Sequence, residues 1–121
     1  MKHEKHPLQL RAEAHLARAG GFYSFADIIS AIDEGRMQSF AEGESWAVTQ
    51  IIDFPRRRMV DVVLLVGNKK DFAALTKQVE DFAVRQGIDC IHGTPRKGFG
   101  NDTYRPEGWK LVGVCIMREL K

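Results

Sequence analysis

Residues 59–66 read Met-Val-Asp-Val-Val-Leu-Leu-Val, and this run constrains the fold more than any other part of the chain. Val60, Val62, Leu64 and Val66 alternate with Asp61, Val63 and Leu65, so a strand built from them is apolar on nearly both faces. Such a strand belongs inside a sheet covered on both sides, which requires helices packed on the sheet. The flanking sequence supplies them. Leu8, Ala12, His15, Leu16 and Ala19 share one helical face over residues 8–19, between Pro7 and Gly20-Gly21. Ser24 and Asp27 make a Ser-x-x-Asp capping box for a second helix that stops at Gly35, with Phe25, Ile28, Ile29 and Ile32 as its buried stripe. The longest helix is predicted over residues 69–86, where Phe72, Leu75, Val79, Phe82 and Ala83 recur at helical spacing. Asn68 and Asp71 suit its start, and Gly87 its end.

Residues 37–41 and 45–54 lack a helical stripe, and the second segment alternates, with Trp46, Val48, Gln50 and Ile52 on one side. Two strands joined near Gly43 are expected. Pro55 and Arg56-Arg57-Arg58 form a polar turn into the central strand. Beyond the long helix, residues 88–92 give a short strand, 93–108 a Gly- and Pro-rich irregular stretch, and 109–117 a last strand. Antiparallel neighbours come first, and a helical crossover then brings in a parallel partner. The expected architecture is α/β: a mixed, mostly antiparallel sheet of about five or six strands with helices on both faces. At 121 residues it forms one domain, with an N-terminal helical segment over 1–20 and a core over 24–121.

Charge and cysteine content narrow the function classes. Eighteen Lys+Arg against 16 Asp+Glu leave a net charge of +2, too balanced for the broad basic field of a duplex-binding protein. With 44% hydrophobic residues the chain can build a core without metal or disulfide staples. Cys90 and Cys115 have no Cys-x-x-Cys spacing, and Cys90 with His92 on one strand finds no further ligand at a recognisable distance, so no metal site is expected. His3, His6 and His15 read as surface residues. No run approaches the roughly 18 to 20 apolar residues of a membrane span, and residues 1–7 lack an apolar targeting core, so a soluble cytoplasmic protein without membrane partners is expected.

Several segments, taken in order, carry a family resemblance. Trp46-Ala47-Val48-Thr49-Gln50-Ile51-Ile52 is followed by Phe54-Pro55, and the long helix follows Val66-Gly67. Arg96-Lys97-Gly98-Phe99 comes after the next strand, and Tyr104-Arg105-Pro106-Glu107-Gly108-Trp109 before the last. From Ser24 to the C-terminus the chain resembles the GNAT (Gcn5-related N-acetyltransferase) superfamily, and more closely the small GNAT-like proteins of tailed bacteriophages. The resemblance implies a GNAT-like fold lacking the first strand, because the helical pattern of residues 8–19 stands where the superfamily begins with a strand. It also implies a virion-associated or assembly role in the host cytoplasm or the virion, with protein partners that are copies of itself or virion components.

In the superfamily the acetyl-CoA pyrophosphate rests on a Gln/Arg-x-x-Gly-x-Gly/Ala loop, because backbone N–H groups at a helix N-terminus must approach the phosphates closely. The matching residues here are Gly67, Asn68, Lys69 and Lys70, followed by Asp71: one glycine, then an acid. By resemblance these four are the cofactor contacts of an acetyltransferase, while the departures from the pattern imply a degenerate site with no cofactor. The superfamily's Tyr-x-x-x-Gly-[Phe/Trp] signal is matched by Tyr104, Gly108 and Trp109, and Tyr104 is the candidate acid for the departing thiolate, since a phenol holds its proton to about pH 10. Pro106 interrupts the helix that usually carries this tyrosine.

Three functions follow. The first is a phage-type GNAT-like protein in virion or assembly, with an exposed apolar interface around Trp46 or Phe99. The second is an acetyl-CoA-dependent N-acetyltransferase acting on an amine, with a base drawn from Glu42, Glu44, Asp53 or Asp61. The third is a small single-strand nucleic-acid module using Arg96, Lys97, Phe99, Tyr104 and Arg105, which the modest net charge disfavours.

Overall fold

The computed structural model describes residues 7–93, 108–110, 112 and 116–120. His3, His6, Arg96, Lys97, Phe99, Tyr104, Arg105 and Cys115 lie outside them. The chain begins with two helices, α1 (Pro7–Arg18) and α2 (Phe25–Asp33), and continues into β1 (Gln38–Glu42), β2 (Ser45–Asp53) and β3 (Arg58–Val66). A single 3-10 turn at Lys69–Asp71 leads into α3 (Phe72–Arg85), which returns the chain to β4 (Ile91–Gly93). The four described strands form one sheet in the order β1-β2-β3-β4. The first three are antiparallel and β4 is parallel to β3, as a helical crossover requires.

The α2 start is built by its two local polar groups. Ser24 Oγ accepts from the Asp27 N–H at 3.1 Å, and the Asp27 carboxylate accepts from the Ser24 N–H at 2.8 Å. The Ser24 backbone N–H, and to a smaller extent the Ser24 hydroxyl, hold the Asp27 carboxyl below its ordinary value. A group depressed on folding stabilises the fold above its unfolded pKa, so this contribution is complete at neutral pH and is lost as pH falls below the ordinary aspartate range. Ser24→Ala is expected to lower stability by about 1 kcal/mol, read as an earlier urea midpoint, while the retained backbone donor keeps most of this acid-side dependence. An unchanged midpoint would show that the cap is redundant with packing.

The helices lie on opposite faces of the sheet. Ala12 and Leu16 of α1, Ile28 and Ala31 of α2, and Met37 pack with Val48, Leu64 and Val66. On the other face Val79 and Ala83 of α3 pack with Val60 and Ile88, joined by Ile51, Ile91 and the edge-to-face pair Phe40–Phe82 at 5.7 Å. Within α2 the buried stripe differs from its expected form. Ala31 is buried, whereas Ile29 is 37% exposed, because a nine-residue helix lying on a flat sheet turns only a narrow arc inward.

The central strand departs from simple alternation. Thr49 is opposite Val62 and Val48 is opposite Leu64, so Val63 has no partner and forms a β-bulge. Val60 belongs to the α3 side and Val62 and Leu65 line the α3 face, whereas Val63, Leu64 and Val66 pack toward α1 and α2. The four residues read as one face are therefore divided between two cores. β2 keeps its expected alternation, with Trp46 and Val48 toward α2 and Ala47 and Ile51 toward α3.

The strand expected over 109–117 is not found among the described residues, since Trp109, Lys110, Val112, Ile116 and Met117 lie in none. Val112, Ile116 and Met117 are exposed, with Met117 beside Gly20.

Candidate functional site

The loop from β3 to α3 is held by the hairpin that joins β1 to β2. In that hairpin Glu42 pairs with Ser45 across Gly43 and Glu44, and Trp46 pairs with Val66, so Ser45 comes to lie against Gly67. Gly67 has φ +127°, a region in which a side chain is strained. A Cβ there would stand 2.2 to 2.5 Å from Ser45 Oγ, Cα and Cβ, so only glycine lets the two backbones approach this closely.

Ser45 is 1% exposed and its hydroxyl is fully engaged. It accepts from the Asn68 N–H at 2.7 Å and donates to Asp71 Oδ2 at 2.7 Å, with the Asn68 carbonyl oxygen 3.2 Å away. The Asn68 side-chain amide donates to Glu44 at 2.9 Å. Across the hairpin, Gly43 at φ +56° faces the Asp71 carboxylate, and a Cβ on Gly43 would lie 2.8 Å from Asp71 Oδ1. Gly67, Asn68, Lys69, Lys70 and the acid Asp71 thus share one loop, with both lysines exposed, and the structure adds Glu44 and Ser45 to it. Sequence reasoning missed Ser45 because nothing local marks a strand-initial serine. Its partners are 23 and 26 residues away.

A second polar group crosses the sheet on the face turned toward α1 and α2. Gln50 Nε2 donates to Asp61 Oδ2 at 3.2 Å, and His92 Nδ1 lies 2.8 Å from Asp61 Oδ1. The three residues are register neighbours on β2, β3 and β4, which fixes their geometry through the ladder. Asp61 has 18% of its side chain exposed and His92 41%, so the pair is half sheltered and still reachable. With Nδ1–H donating to the carboxylate, the imidazole Nε2 is left as a proton acceptor. Of the other expected carboxylates, Asp53 pairs with Arg58 at 2.6 Å and Glu42 accepts from Gln78, so these serve as local charge and hydrogen-bond partners. In the arginine turn, Arg57 is bound to Asp89 at 3.1 Å, and that hydrogen bond raises the guanidinium pKa.

Tyr104 lies outside the described residues, and so does most of the expected nucleic-acid segment. Trp109 is half-buried and lines a half-open, apolar pocket of about 30 Å³ with Ala47, Val62, Leu65, Leu75 and Val79. Trp46, expected at an exposed interface, is instead drawn inward against Phe25 at 5.9 Å, with its indole N–H donating to Ser39 Oγ. A large ring beside an uncovered helix face gains more by packing there than by facing water. Among the described residues no three His, Cys, Asp or Glu side chains gather as a metal site, and no helix is long and apolar enough to cross a membrane.

No protein family and no curated protein matches the chain by sequence. Solved structures do match in three dimensions. A predicted acetyltransferase from Clostridium acetobutylicum, solved with acetyl-CoA, superposes with a TM-score of 0.64 at 14% identity, over 93% of this chain and 88% of that one. A probable acetyltransferase gives 0.61 at 8% identity, over 93% and 91%. A protein from Thermus thermophilus gives 0.59 at 18% identity, over 92% of each chain. At these identities the likeness is one of architecture, and it establishes that the chain has the GNAT-like acetyltransferase fold.

Proposed function

We propose that this chain is a virion-associated or assembly protein of the phage GNAT-like type, which uses the acetyltransferase-like fold as a binding scaffold and has a degenerate cofactor loop. The observation that carries this reading is the closed Asn68–Ser45–Asp71 chain, which turns the loop inward and sets a carboxylate where the fold would receive a phosphate. A pyrophosphate is held by backbone amides that point outward at a helix start. Here the amide that follows the loop's one glycine is already bonded within the protein, and Asp71 adds a negative charge beside it. Gly67, Asn68, Lys69 and Lys70 therefore fit a cofactor pyrophosphate poorly. Exposed apolar side chains support a partner-binding role: Phe22 is 73%, Ile116 90% and Leu120 88% exposed. The phage and virion assignment itself rests on the sequence resemblance, and its partners are copies of this chain or virion proteins.

Calorimetric titration of the purified protein with CoA and acetyl-CoA is the test. No heat and no thermal shift up to millimolar ligand is the expected result. Micromolar binding would overturn the reading and bring forward an amine N-acetyltransferase. That second reading is favoured by the Gln50–Asp61–His92 chain, which holds an imidazole on rigid strands with a carboxylate behind it. In it, His92 Nε2 would take the proton of the attacking amine while Asp61 fixed the ring.

A further inference from the structure

The poor fit of the β3–α3 loop to a phosphate raises the question of what occupies the position instead. We infer that Asp71 is an internal counter-ligand, a carboxylate supplied by the chain itself that fills and neutralises the place where an external anion would sit. This rests on the reading that the loop takes no cofactor. Asp71 occupies the N-cap position of α3 yet makes no capping hydrogen bond to that helix. Its carboxylate is turned instead toward the hairpin, where Ser45 donates to it at 2.7 Å and Gly43 leaves space for it by having no Cβ.

The arrangement is built on both sides. Gly67 admits Ser45 to the loop, Gly43 admits Asp71 to the hairpin, and Ser45 links the Asn68 amide to the Asp71 carboxylate through one hydroxyl. A side chain at either glycine would collide with it. The negative group stands at the positive end of a 14-residue helix, so it takes up the electrostatic attraction that the fold would otherwise offer to a phosphate. An approaching dianion meets a like charge at contact distance, a repulsion that short range and partial burial leave weakly screened. Asp71 thus acts as an autoinhibitory contact against anions. The two lysines that precede it, both exposed, carry charge that attracts phosphate without a cradle to receive it.

The test titrates inorganic pyrophosphate into four folded proteins: wild type, Asp71→Ala, Asp71→Asn and Ser45→Ala. Wild type and Ser45→Ala are expected to bind negligibly up to 10 mM, and Asp71→Ala at least about tenfold more tightly than wild type, since a full like charge is gone. If Asp71→Ala does not unfold cooperatively, Asp71→Asn takes its place, because it keeps the volume and the bond from Ser45 and removes only the charge. A gain of about fivefold is expected there. A folded Asp71 variant that binds no better than wild type overturns the inference, as does a Ser45→Ala gain equal to that of Asp71→Ala, which would assign the block to the engaged amide. CoA binding by the wild type would overturn the function reading instead, so the two failures are distinguishable.

Discussion

Gly67→Ala is expected to destabilise the domain by about 4 kcal/mol. A residue held at φ +127° carries a strain of about 1 to 3 kcal/mol when it is not glycine. The added methyl also meets Ser45 Cα at 2.4 Å, a backbone atom that cannot swing aside as a flexible side-chain tip would. Moving it shifts the start of β2, breaks the Asn68–Ser45–Asp71 chain and adds an overpacking cost of about 1 to 3 kcal/mol. Against a total stability of about 5 to 15 kcal/mol for a domain of this kind, such a loss is large. Urea denaturation should show the midpoint falling by about 2 M with little change in slope. A loss below 1 kcal/mol would mean that the hairpin backs away from the loop freely, and the close approach of Ser45 to Gly67 would then not be a fixed feature of the fold.

Leu64→Ala should cost about 2 to 5 kcal/mol, the range for a buried leucine whose surroundings collapse only in part. Leu64 is 1% exposed and is among the largest fully buried side chains. It stands at the centre of the cluster formed with Ala12, Leu16, Ile28, Val48 and Val66, drawn from both N-terminal helices and two strands. A cavity there loosens α1 and α2 together, so helical signal and the near-ultraviolet signal of Trp46 should melt at the same lowered temperature. Separate transitions, or a shift under 1 kcal/mol, would show that the helices are held to the sheet by something other than this core.

Much of the architecture was legible because it depends on local signals. The capping box at Ser24 and Asp27, the stripe from Phe72 to Ala83 and the crossover to a parallel strand each follow from neighbours within one or two turns. The bulge at Val63 was not legible, since a run of valines and leucines reads the same with or without an extra residue. The site was legible only in part for a related reason. Gly67, Asn68, Lys69, Lys70 and Asp71 are contiguous, whereas Glu44 and Ser45 join them through contacts more than 20 residues apart along the chain. Asp61 and His92, considered separately from the sequence, become a pair only once β3 and β4 lie side by side.

Counting Val63 out of β3 leaves a strand of regular parity, in which Val60, Val62 and Leu65 serve one core and Leu64 and Val66 the other. In evolutionary terms the residue behaves as an insertion, its side chain half-buried against the α1–α2 core without changing which face its neighbours take. What it changes is direction, because a bulged strand bends and twists more strongly. The parallel ladder with β4 runs through Val60, Asp61 and Val62, the residues immediately before that bend. Losing that one residue would leave a β2–β3 ladder without the extra bend and with every other side chain on the face it has now.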